Sequence, residues 1–131
     1  MNKANVNAYI ERAVTALTDS KIAKDGKIEK GYRGQISTFG AAVTNGSLEA
    51  AIAFFSNDKS ESEFDRPALM KSICYVLGVA GDNKKANQYC NRDLYDYVRS
   101  NQYGTKASKK DKILDAAIAL KLAMNLFELE D

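Results

Sequence analysis

Apolar residues recur along this 131-residue chain at steps of three and four, and a single proline is available to break the pattern. That spacing keeps one face of a helix apolar, and the scarcity of proline leaves few forced helix ends. Ile28, Tyr32, Ile36, Phe39 and Val43 give the cleanest stripe, at steps of four, four, three and four. The chain therefore reads as all-α, a single-domain bundle of about six helices over residues 1–131. At this length it can bury roughly two-thirds of its unfolded surface, enough for a core without metals or crosslinks.

Punctuation divides the helices. A first helix spans about 3–23, with Val6, Tyr9, Ile10, Ala13 and Leu17 on its apolar side and Gly26 as a C-terminal cap. A second carries the Ile28 to Val43 stripe and runs to Thr44. Asn45 and Gly46 supply a left-handed stop, and Ser47 caps a short third helix from Leu48 to Phe55. Phe39, Leu48, Ile52 and Phe54 are expected to join these two. Residues 56–66 form an acidic surface loop. Pro67 opens a fourth helix, which stops near Gly78 to Gly81. A fifth, from about Asn83 or Asn87 to Asn101, turns Cys90, Leu94, Tyr97 and Val98 inward. A lysine-rich linker, 104–112, precedes a sixth helix over about 110–128, apolar on two sides and hence covered on two sides.

Histidine and tryptophan are absent. The first absence removes the commonest general base and transition-metal ligand. No phosphate-binding glycine loop, nucleophile elbow or cysteine-metal spacing occurs either. The expectation is no enzyme activity, no catalytic residue, no cofactor and no metal. Cys90 or a lysine remains as nucleophile for a rival enzymatic reading. Cys74 and Cys90, sixteen residues apart in apolar-periodic segments, fit buried thiols in a reducing cytoplasm. No stretch is long and apolar enough for a membrane span.

With 19 basic and 17 acidic residues, distribution rather than net charge must point to a partner. Three basic sets stand out. Lys85, Arg92 and Arg99 recur every seven residues and would share a face of the fifth helix, near Tyr89 and Tyr103. Lys21, Lys24, Lys27, Lys30 and Arg33 straddle the first two helices, with Lys30 and Arg33 opposite the apolar stripe. Lys106, Lys109, Lys110 and Lys112 occupy the last linker. Acids gather instead in 58–65 and in the tail 128–131. Cations neutralise phosphates and tyrosines stack on bases, so Lys30, Arg33, Lys85, Arg92, Arg99, Lys106, Lys109 and Lys110 are the candidate RNA contacts. Solvated helix faces of mixed charge explain the same residues without RNA.

The stretch 31-GYRGQISTFGAAVTNGSLEAAIAFF-55 resembles the small helical subunit of the type III-B CRISPR effector, the Cmr complex. That pattern has a helix, an asparagine or similar residue with Gly-Leu, and a short helix ending in Ala-Phe. Asn45-Gly46, Leu48 and Ala53-Phe54 match it, with Ser47 as an extra residue between glycine and leucine. The resemblance implies a non-catalytic all-α subunit. Several copies would stack in a filament beside other Cmr complex subunits, contacting guide RNA and target RNA in antiviral defence. The alternative is a protein-only helical adaptor with no direct RNA contact.

Overall fold

The computed structural model describes residues 1–58, 63–81 and 83–131. Within them the chain forms six α-helices: α1 Lys3–Asp19, α2 Gly31–Asn45, α3 Leu48–Phe55, α4 Arg66–Leu77, α5 Asp93–Arg99 and α6 Lys106–Met124. Short polar side chains begin several of them by accepting a hydrogen bond from a free backbone N–H. Asn2 accepts from Asn5, Ser47 from Ala50, Asp65 from Ala68 and Thr105 from Ser108.

Helix α6 is the axis of the bundle, packing against α1, α2, α4 and α5. Its buried Ala116, Ala117, Ala119 and Ala123 carry little side chain, so neighbouring helices approach closely, while Ile113, Leu120 and Met124 fill the gaps. The helix is thus covered on more than one side, although part of its second apolar side is not: Leu122 stays 46% exposed. Helix α4 buries Leu69, Met70, Ile73 and Val76 beneath it and ends where Gly78 turns left-handed at φ 68°.

Three short strands depart from the all-helical expectation without changing the fold class. β1 Ala23–Lys24 and β2 Lys27–Glu29 form an antiparallel hairpin, and β3 Glu128–Glu130 joins β2 in parallel. The first helix therefore stops at Asp19 instead of 23, followed by Lys21 at φ 64°. Gly26 is no helix cap. Asp25 and Gly26, at φ 56° and 77°, make the tight turn whose twist suits a hairpin. Ile28, expected on the second helix, lies on β2 and is fully buried.

The α2–α3 corner differs in two details. Gly46 is not left-handed but has φ −135° and ψ −134°, and the absence of a side chain matters because a Cβ would come 3.0 Å from the Ala42 carbonyl oxygen. Phe55, rather than Phe54, joins the helices, its ring edge-on to Phe39 at 5.3 Å between centroids. Phe54 is 61% exposed.

Where one fifth helix was expected, there is a 3-10 turn, Ala86–Gln88, followed by α5. Burial decides this: Ala86 and Tyr89 enter the core, and the Tyr89 hydroxyl donates to the Val79 carbonyl. Cys90, expected inward, is exposed, whereas Cys74 is buried and its thiol pKa is pushed up by desolvation. The expected 104–112 linker is mostly helix, because Thr105 starts α6 there. Of the acidic stretch 56–66, residues 59–62 lie outside the described residues. Among the described residues no helix is long and apolar enough to cross a membrane.

Candidate nucleic-acid interface

The three basic sets fare differently. On the hairpin, Lys24 stands opposite Lys27, but β3 then sets Glu128 beside Lys27 and Glu130 beside Glu29. The acidic tail that sequence separated from these lysines is folded against them, and the result is a surface of mixed charge. Lys30 remains exposed at the entry to α2. Arg33 is half-buried.

In the second set Lys85 is exposed but precedes the 3-10 turn, so it does not share a helix with the other two. Arg92 and Arg99 keep their relation. They flank and close α5, seven residues apart, which brings both to nearly the same angular position about 10 Å apart along the axis. Arg92 leans on Asp96, four residues on, at 3.2 Å. Tyr89 is withdrawn into the core, while Tyr103 is 46% exposed.

The third set separates by helical phase once it is helix rather than linker. Lys106 faces out and reaches across to α3, where its ammonium lies 2.8 Å from the Glu49 carboxylate. That hydrogen bond is the main cause holding the Glu49 pKa below its ordinary value. Lys110, one turn on, is half-buried. Lys109 is not a surface residue: it is 1% exposed, contrary to its expected role as an RNA contact. Its Nζ donates to the carbonyls of Val98 and Ser100, at 3.4 Å for the first, and sits 5.7 Å from the Tyr97 ring centre. A buried ammonium needs acceptors, and the end of α5 supplies free carbonyls that no further turn of helix uses.

Of the candidate residues, Arg99, Lys106 and Lys109 meet in one open cleft of about 300 Å³ between the end of α5 and the start of α6. Arg99 and Lys106 stand at its rim, Lys109 lies in its wall, Glu49 comes from α3, and Ser100, Asn101 and Thr105 add polar groups. Three cations thus share the cleft with one carboxylate. No family model, curated protein or solved structure matches the chain.

Such a cleft can hold an anionic chain by charge, with no reading of bases. Sequence spacing revealed the Arg92 and Arg99 pair because α5 is regular between them. It did not reveal that Lys106 joins Arg99, which depends on how the 100–105 connection folds back. Among the described residues no group of three or more histidine, cysteine, aspartate or glutamate side chains is arranged to hold a metal ion.

Proposed function

We propose that this chain is a non-catalytic small subunit of a type III-B CRISPR ribonucleoprotein, contacting the backbone of guide or target RNA through the α5–α6 cleft. The observation carrying the reading is that Arg99 and Lys106 line one cleft with a single carboxylate, with Arg92 two turns away on the same side of α5. Lys30, Lys85 and Lys110 are peripheral contacts in this reading, and Lys109, spent on the Val98 and Ser100 carbonyls, holds the cleft wall in place. Base pairing between guide and target would supply sequence choice, and the protein would supply charge and shape. Several copies would stack beside other Cmr subunits in the cytoplasm.

A protein-only adaptor is the second reading. It is favoured by the internal pairing of Arg92 with Asp96 and Lys106 with Glu49, which consumes part of the charge.

Purification of the tagged chain from its native cells separates the two. The RNA reading expects co-purifying small RNA with a shared 5′ segment and disassembly by nuclease; a particle free of RNA overturns it. In binding assays the double variant Arg92→Glu, Arg99→Glu should flatten the dependence of log affinity on log salt by about 2, since each lost phosphate contact removes about one unit.

A further inference from the structure

The segment joining α5 to α6, residues 100–105, holds a tyrosine in an uncommon posture. Tyr103 has φ 70°, a left-handed conformation usually left to glycine or asparagine, and glycine does follow it at φ 100°. A bulky side chain persists there only if its surroundings fix it. They do so from two sides. The Tyr97 ring, buried on α5, lies 5.2 Å from the Tyr103 ring at 45°. Beneath, Lys109 ties the Val98 and Ser100 carbonyls that launch the segment, and the Ser100 hydroxyl accepts from the Gln102 N–H at 3.0 Å. The segment is clamped, yet 46% of Tyr103 stays open to solvent.

Arg99 precedes this ring by four residues and Lys106 follows it by three; both line the cleft, while Tyr103 lies outside its lining on the connection between them. An aromatic face held still on a short connection between two cations is an arrangement that can bind single-stranded nucleic acid, with a base on the ring and its phosphates on the cations. A paired base is already stacked and cannot reach such a ring. We propose that Tyr103 is a stacking platform for one unpaired base of a single-stranded RNA, and that buried Lys109 is the positioning residue holding it. The proposal rests on the RNA reading above and adds a ligand class: an exposed base, of any identity, because every base offers a π face.

The test uses the purified chain with two probes, a single-stranded oligoadenylate and an abasic ribose-phosphate strand of equal length. Tyr103→Ala should weaken oligoadenylate binding roughly 5- to 100-fold and leave abasic binding unchanged. Tyr103→Phe should retain the preference. Lys109→Met, which keeps the volume but not the carbonyl ties, should lose the preference for bases while the salt slope stays that of the unaltered chain. If Tyr103→Ala leaves oligoadenylate binding unchanged, the platform is refuted while the charge-based RNA reading stands. Equal affinity of the unaltered chain for both probes has the same consequence. Should the unaltered chain bind neither probe, both readings fail, and an exposed tyrosine serving a protein partner takes their place.

Discussion

At Gly31 the first turn of α2 meets the ring of Phe64, and a Cβ added there would lie 2.2 Å from the ring's outermost carbon. The ring cannot swing away freely, since it is edge-on to Tyr32 at 5.0 Å, whose hydroxyl in turn accepts from the Asp65 N–H. Helix propensity alone favours alanine over glycine, so the two effects oppose. Overpacking wins: Gly31→Ala should destabilise the fold by about 1–3 kcal/mol in denaturant titration. Adding Phe64→Leu should recover part of the loss. A second residue-scale consequence concerns alkali. Burial raises the Tyr97 hydroxyl pKa to about 12, from 10.0. The folded chain thus keeps its proton where the unfolded chain gives it up. The stability contribution is complete below pH 10.0 and disappears as pH rises to about 12. Tyr97→Phe should flatten the decline in denaturant midpoint across that range; an unchanged profile would assign the decline to other groups. Tyr9 and Tyr32, also raised chiefly by burial, act in the same direction.

At the scale of elements, what was legible depended on whether local signal and tertiary demand agreed. The α2 stripe from Tyr32 to Val43, the Ser47 cap and the Pro67 helix start all appear because spacing, cap chemistry and burial ask for the same thing. The hairpin was hidden by coincidence: Ile28 stands four residues before Tyr32, so it continues a helical step while belonging to a strand. Its true signal was Asp25-Gly26 between Ile22-Ala23-Lys24 and Lys27-Ile28, a turn pair flanked by extended residues. Likewise nothing local separates the 3-10 turn from α5; the burial of Tyr89 does, and that is settled by the distant Val79 carbonyl. The candidate site divides along the same line, with Arg92 and Arg99 readable from helical phase and the burial of Lys109 fixed by carbonyls across the chain reversal. If the turn governs the strands, Gly26→Ala, at φ 77°, should cost about 1–2 kcal/mol. The effect should also propagate to β3, because the Glu128 N–H donates to the Gly26 carbonyl at 3.0 Å. Hydrogen exchange at Glu128 should therefore accelerate along with exchange at Ile28, whereas amides at the centre of α6 should slow or quicken only with global stability.

For the whole molecule, the bundle divides its outer surface between charge and apolar patches in a way that bears on assembly. The cationic cleft lies between α5 and α6, while exposed apolar side chains occur elsewhere: Phe54 at the end of α3, and Leu122 and Leu126 towards and beyond the end of α6. Phe54 borders an apolar groove with Ala42, Gly46 and Ala50, at the α2–α3 corner. Exposed large side chains beside an apolar groove are costly to leave wet and commonly serve contacts between proteins. In the proposed ribonucleoprotein these patches would bear on neighbouring subunits, leaving the cleft free for RNA. The two duties should then be separable by mutation. Phe54→Glu combined with Leu126→Glu should lower the apparent mass in concentration-dependent sedimentation and prevent incorporation into the native particle. The same variant should bind a single-stranded RNA with unchanged affinity and salt slope, because neither residue borders the cleft. A double variant that assembles as before would remove protein contact from these patches, and one that loses RNA binding with its fold intact would show that charge and apolar surfaces act as one interface.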